Sequence, residues 1–154
     1  MGESKVERQG GMGGHLTFLS GLEVIFLFGQ FISGMWVNLF VNFPSATPRL
    51  GLSVMEKMMS VMLAGGGVFM LHMIVGLFLL ILSLIVLFSS LLRGGAGVVL
   101  ASASGLVSVV FAGFNGILFM FSGFTDNLDS YFMAIGFALA LASYFAVIYL
   151  ASKL

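Results

Sequence analysis

Two ionisable residues lie inside long apolar stretches of the sequence. Glu23 falls within the first apolar stretch, and His72 opens an almost continuous apolar run, LHMIVGLFLLILSLIVLF at 71–88. A charge at the centre of a bilayer costs at least about 2.5–3.5 kcal/mol, so such residues are candidates for function. The carboxyl group of Glu23, with Gln30 on the same helix face, could bind a proton or a cation. A neutral imidazole could ligate haem iron or another metal, or relay a proton.

Three further residues are expected at a depth similar to that of His72 if the N-terminus lies on the inner side: Asn38, Asn115 and Met133. The sequence therefore predicts a haem site in which His72 is the iron ligand and these three side chains surround it. The alternative is a neutral His72 that is hydrogen-bonded to a neighbouring side chain or carbonyl group. Glu23 likewise has an alternative, in which it stays protonated or pairs with a base of the N-terminal tail.

The composition places these residues in a membrane protein. Of 154 residues, 60% are hydrophobic and 8% are charged, against about 45–50% and about 25% in soluble domains. The formal net charge of zero excludes a broad basic surface, so nucleic acid is not an expected partner. The absence of cysteine excludes disulfides, thiolate metal sites and iron–sulfur clusters. The lipid bilayer is the partner that this composition predicts.

Four stretches are long enough to cross the hydrocarbon core, which needs roughly 20 apolar residues. Continuous apolar runs indicate helices rather than the alternating strands of a barrel. We predict an all-α integral membrane four-helix bundle, antiparallel and up-down-up-down, at residues 16–154, preceded by a flexible polar tail at 1–15. The predicted spans cover residues 16–41, 67–92, 98–122 and 130–151.

The longest connection, at 42–66, is predicted to be an outer loop that contains a short amphipathic helix. Pro44 and Pro48 end the first span, and Ser53 with Glu56 three residues later matches a capping box. Because the number of spans is even, both termini lie on the same side of the cell membrane. That side holds Lys5, Arg8, Arg93 and Lys153, and the other side holds Arg49 and Lys57, so the bias of basic residues favours an inner location for both termini.

Each span carries a stripe of small or polar residues, which is how helices pack in lipid. At about 100° per residue, these stripes are Glu23, Gln30, Gly34 and Asn38; His72, Gly76, Ser83 and Ser90; Ser104, Ser108, Ala112, Asn115 and Ser122; and Ala134, Ala138, Ala142 and Ala146. We expect all four stripes to face the interior of the bundle.

Three segments resemble parts of the haem A synthase family. QFISGMWVNLFVNFP at 30–44 is similar to the end of the first helix in one half of these enzymes, where a Gln…Gly…Val pattern runs into a Pro-containing loop. LHMIVGLFLLILSLIVL at 71–87 is similar to the helix that opens with the haem-ligand His, and GFNGILFMFSG at 113–123 to the third helix. The resemblance covers most of the chain and extends to small archaeal membrane proteins with four helices. It implies haem b, haem O or haem A bound through His72.

Two positions depart from the family pattern. The family usually has a Glu three residues before the His, where this chain has Phe69, and a second His near the start of the fourth helix, where it has Tyr131–Phe132–Met133. The family catalyses the hydroxylation of haem O to haem A, and without those residues that reaction is not expected here. The resemblance then implies a haem site with one His, for electron transfer or haem handling, or the scaffold alone.

Two other functions are compatible with the same sequence. A single Glu in the first of four spans resembles the small multidrug exporters, which exchange protons for substrate and work as dimers, although no motif matches. Short loops and four packing stripes also suit a non-catalytic subunit of a larger membrane complex, or a homo-oligomer. The sequence leaves the enzymatic status of the chain open.

Overall fold

The computed structural model describes residues 3–41 and 53–154. The described residues form five helices and no strand: α1 (Glu3–Phe40), α2 (Val54–Ala64), α3 (Gly66–Arg93), α4 (Ala96–Phe121) and α5 (Asn127–Ala151). Four of them are long and apolar enough to cross a membrane, over Gly13–Phe40, Gly66–Leu92, Ala96–Phe121 and Asn127–Ala151. The predicted all-α architecture with four spans is confirmed, with span ends within a few residues of those expected.

Helix α1 is longer than its predicted span because it begins at Glu3. The segment expected to be a flexible tail is thus helical from that residue onward. Residues 3–9 of this segment include Glu, Lys, Arg and Gln, which are good helix formers. At the other end of α1, Pro44 and Pro48 lie outside the described residues.

The four spans form a closed bundle. Helix α1 packs against α3 and α5, and α4 packs against the same two helices, so α1 and α4 occupy opposite corners. Gly94 and Gly95 join α3 to α4, and residues 122–126 join α4 to α5. Connections this short make consecutive spans antiparallel.

The turn between α4 and α5 contains two residues in the left-handed region, Gly123 at φ 71° and Phe124 at φ 63°. This conformation is uncommon for a bulky residue. The Phe124 ring packs edge-on against Phe69 and Phe119, at centroid distances of 5.9 and 5.4 Å. These aromatic contacts hold the turn against the start of α3.

The small-residue stripe predicted for the fourth span is wrong. Ala134, Ala138 and Ala142 are exposed, and the buried residues of α5 are Gly136, Ala140, Tyr144, Val147 and Ala151. A side chain at Gly136 would begin 2.8 Å from the Ala112 Cβ and 3.0 Å from the Ser108 carbonyl oxygen. The close approach of α4 and α5 therefore depends on Gly136, and the alanine repeat faces outward.

Helix α2 begins with the predicted capping box. The Ser53 backbone N–H and hydroxyl both donate to Glu56 Oε2 at 2.8 Å, and the Glu56 N–H donates to the Ser53 hydroxyl at 3.3 Å. These hydrogen bonds, chiefly the one from the backbone N–H, lower the pKa of Glu56.

Candidate functional site

The polar residues predicted in the first two spans meet along one interface, between α1 and α3. Glu23 lies opposite Ser83, Gln30 lies opposite Gly76, and Gly34 lies opposite His72. Moving seven residues forward along α1, from Glu23 to Gln30, corresponds to moving seven residues back along α3. The next four residues forward, to Gly34, correspond to four residues back, to His72. Steps of four and seven residues keep one helix face in contact with its neighbour. The antiparallel register thus brings both ionisable residues to a single interface.

Glu23 is completely buried, with an exposed fraction of 0%. The Ser83 hydroxyl donates to its Oε1 atom at 2.6 Å. Its Oε2 atom is also buried and has no hydrogen-bond partner in the described part of the chain. Glu23 lies ten residues beyond Gly13, where the first span begins, or about 15 Å along the helix at 1.5 Å per residue. It therefore lies well inside the first span.

Residues from α1, α3 and α5 surround the Glu23 carboxyl group, and α4 packs against Tyr144. Tyr144 of α5 is fully buried, and its hydroxyl lies near Ser83 and Glu23 without forming a hydrogen bond to a described residue. The Tyr144 ring lies over Gly105 of α4, where a Cβ atom would be 2.7 Å from Cζ. Ser20, one helical turn before Glu23, is also fully buried. We refer to Ser20, Glu23, Ser83 and Tyr144 as the Glu23 centre.

The Glu23 centre is short of hydrogen bonds. The Ser20 hydroxyl, the Tyr144 hydroxyl and Glu23 Oε2 are three of the four buried side-chain atoms without a partner among residues 3–41 and 53–154. Buried polar groups are nearly always paired, and exceptions call for an explanation. A carboxylate here would exchange its hydration shell for one hydrogen bond. The neutral acid is the form that these surroundings accommodate.

His72 forms a second polar group nearer the α2 end of the bundle. Its Nε2 atom lies 3.1 Å from Gln30 Nε2, and its Nδ1 atom lies 2.9 Å from the Ser33 hydroxyl oxygen. Because the Gln30 amide nitrogen can only donate, the His72 Nε2 atom accepts and Nδ1 carries the proton. The Ser33 hydroxyl then donates to the Gln30 carbonyl oxygen at 3.0 Å. We refer to Gln30, Ser33 and His72 as the His72 cluster.

Two glycines make room for the His72 cluster. A Cβ atom at Gly34 would lie 2.9 Å from the His72 Cε1 atom, and one at Gly76 would lie 3.0 Å from the Gln30 amide nitrogen. Real Cβ atoms essentially never show the first distance, and the second would require the Gln30 amide group to shift by a few tenths of an ångström. The imidazole and amide groups therefore fit closely against positions that have no side chain.

The other residues predicted to surround His72 have different neighbours. Asn38 is exposed, which corrects its expected inward orientation. Asn115 is buried, but its amide nitrogen donates to the Phe111 carbonyl of its own helix at 2.7 Å. The Met133 side chain packs against Gly116 on α4, within 3.6 Å of where a Cβ atom there would lie. These contacts belong to the α4 helix and the α4–α5 interface rather than to His72.

The arrangement around His72 does not fit haem as it stands. Both ring nitrogens are engaged by α1 side chains, and the Cε1 edge faces Gly34 at close range. No group of three or more His, Cys, Asp or Glu residues that could hold a metal ion occurs in the described ranges. An iron ligand would require Gln30 or Ser33 to move away, so haem binding by His72 stays a prediction.

Sequence reasoning missed part of both polar groups. Neither Tyr144 nor Ser33 is among the predicted site residues, although Ser33 lies three residues after Gln30 on the same face of α1. Ser83 was on the predicted stripe, but the stripe could not indicate that its partner would be Glu23. The partners across a helix interface depend on the register between two helices, which no single helix encodes.

The fold and the site define a polytopic integral membrane protein with four spans and a carboxyl group buried in its core. No protein-family model, curated protein or solved structure matches the chain significantly.

Proposed function

We propose that the protein is a small proton-coupled membrane transporter in which Glu23 binds and releases the coupling proton. The observation that carries the proposal is a fully buried carboxyl group, deep in a bundle of apolar helices, that has a hydrogen bond at only one of its oxygens. Intramembrane carboxyl groups are costly, and they recur in the proton relays of pumps and transporters.

The composition of the Glu23 centre supports a proton as the bound species. Serine and tyrosine hydroxyls can each donate or accept, so they can follow a change in the charge of the carboxyl group by rotating. Ser83 already donates to Oε1. When Glu23 ionises, the hydroxyls of Ser20 and Tyr144 are buried donors that have no other partner among the described residues. One site can thus accommodate both protonation states at different cost, as proton exchange requires.

The His72 cluster supports the same function by its position. It lies on the same helix interface as Glu23, and His72 lies eleven residues from Ser83 along α3, or about 16 Å. It therefore stands between the Glu23 centre and the end of the bundle that carries α2. Its polar groups extend the polar interface from the Glu23 centre toward that end.

Transport by the protein in vesicles tests the proposal. We expect purified protein in lipid vesicles to transport a lipophilic cation in exchange for protons that flow down an imposed pH gradient. Glu23→Gln should abolish this transport. Glu23→Asp keeps a carboxyl group and should retain part of the activity. Glu56→Gln is the matched control because Glu56 lies at the start of α2, outside the spans. Full activity of Glu23→Gln, or no movement with the unaltered protein, would contradict the proposal.

Haem binding through His72 is the competing hypothesis, and it is distinguished by the visible spectrum. Oxidised and dithionite-reduced spectra of the detergent-purified protein are recorded with and without added haem. If His72 binds haem, these spectra show a Soret band that is absent from the His72→Ala variant. Spectra that stay flat after haem addition leave transport and a subunit role. Stoichiometric partners that co-purify from native membranes would indicate the subunit role.

A further inference from the structure

Helix α2 is joined to the membrane end of the bundle through one flank. Gly65 ends the helix and Gly66, at φ 69°, turns the chain directly into the second span. On this flank Val61 is buried, and Met58 and Met62 pack with Val37 and Phe69. Because α3 begins at the next residue, α2 must lie at the level where that span enters the membrane.

A second apolar row on α2 is largely exposed. Met55, Met59 and Leu63 are 70%, 54% and 77% exposed. They are spaced four residues apart, so they lie on one face of the helix. Three large apolar side chains in one row on an eleven-residue helix form a patch, and a patch differs from the scattered exposed residues of ordinary surfaces.

The order of residues around α2 is that of a helix at a membrane surface. At about 100° per residue, the packed row is followed by the exposed apolar row and then by Glu56 and Ser60, which are also exposed. The apolar arc therefore continues beyond the contact with the bundle. Interfacial helices have such an arc, with polar residues on the opposite side.

Neighbouring residues extend the same apolar surface. Trp36, Leu39 and Phe40 in the last turns of α1 are exposed, as are Met70 and Leu71 in the first turns of α3. These residues belong to the membrane spans, and Trp is typical of the membrane–water boundary. The apolar row of α2 thus lies at the same end of the bundle as exposed apolar residues of two spans.

We propose that α2 is an interfacial helix that inserts Met55, Met59 and Leu63 into the outer acyl-chain region of the bilayer that the four spans cross. Glu56 and Ser60 then face the headgroups and water. Since α2 is packed on α3 through Val61, its insertion fixes the depth of the α3 start, where the His72 cluster lies.

Site-directed spin labelling tests this placement, and the chain has no native cysteine to replace. Single variants Met59→Cys and Ser60→Cys are labelled with a nitroxide in phosphatidylcholine vesicles. Collisions with oxygen report contact with lipid, and collisions with a water-soluble nickel chelate report contact with water. Leu77→Cys, on the exposed surface in the middle of α3, and Thr125→Cys, in the exposed α4–α5 turn, calibrate the two extremes.

We expect the ratio of oxygen to nickel accessibility at Met59→Cys to approach the Leu77→Cys value and to exceed that at the adjacent Ser60→Cys. Met55→Cys and Leu63→Cys should repeat the Met59→Cys result because they lie on the same row. A ratio at Met59→Cys equal to that at Thr125→Cys would place the row in water. Protection from both reagents would mean that protein covers it, as in an oligomer. Either result would overturn the proposal.

Discussion

Glu23 owes its environment to single residues on three other helices. Ser83 gives it a hydrogen bond, Tyr144 closes one side, and Gly105 leaves the space that the Tyr144 ring occupies. Of these, only Gly105 acts by lacking a side chain. It can therefore be tested without removing a polar group from the site.

Gly105→Ala is expected to destabilise the bundle. The added Cβ atom would lie 2.7 Å from the Tyr144 Cζ atom and 3.0 Å from its hydroxyl oxygen, and such overpacking costs about 1–3 kcal/mol. Gly113→Ala on the same helix meets no atom within 4 Å, and it should stabilise the helix by about 0.5–1 kcal/mol. Reversible unfolding in mixed detergent micelles measures both variants. Equal effects would show that Tyr144 is not confined by α4.

The presence of His72 and Glu23 inside spans could be predicted from sequence, but their partners could not. A polar residue within an apolar run can be recognised from the sequence alone. The pairs Glu23 with Ser83 and His72 with Ser33 depend on the rotation and register of two helices. Asn38 is the instructive error: it shares a face with Gly34 on a helical wheel, yet it is exposed because the bundle does not cover that face at the end of α1.

At the scale of elements, the spans were the easiest feature to predict because their length and hydropathy are set by the bilayer. The inward face of α5 was the hardest. The repeat Ala134, Ala138, Ala142 follows the small-residue pattern, but Gly136 allows a closer approach to α4 and the helix is turned accordingly. Where a helix is apolar all round, the smallest side chains at the contact decide its orientation, and composition alone does not reveal them.

The stability of the first turn of α2 should depend on pH through its capping box. Ionised Glu56 accepts both hydrogen bonds from Ser53, and its pKa is lowered. The group therefore contributes stability that is full above the ordinary glutamate pKa and is lost as the pH falls through the lowered pKa. Amide hydrogen exchange in the first turn of α2, corrected for intrinsic rates, should show protection falling across that range.

Ser53→Ala provides the matching variant for the capping box. Loss of an N-cap costs about 1 kcal/mol, so protection in the first turn of α2 should drop at neutral pH and should lose most of its pH dependence. Protection in the middle of α3 serves as the internal control and should not change. A first turn whose protection is unaffected by Ser53→Ala would show that the capping box does not stabilise α2.

At the scale of the whole molecule, four antiparallel spans require both termini to lie on one side of the membrane. The bias of basic residues predicts that this is the inner side. We expect a membrane-impermeant maleimide to label Thr125→Cys, in the α4–α5 turn, on intact cells. Ser152→Cys, just after α5, should be labelled only after permeabilisation. Labelling of Ser152→Cys alone on intact cells would show that the termini lie on the outer side. Labelling of both variants would contradict the four-span topology.

Proton-coupled transport by this protein depends on Glu23 exchanging a proton within the bundle. Infrared difference spectra of the protein in vesicles, recorded between acid and alkaline pH, measure this directly because a protonated carboxyl group has its own carbonyl stretch. We predict a carboxyl band that titrates in the unaltered protein and in Glu56→Gln and is missing in Glu23→Gln. A spectrum of Glu23→Gln identical to that of the unaltered protein would show that Glu23 does not exchange its proton, and would contradict the account.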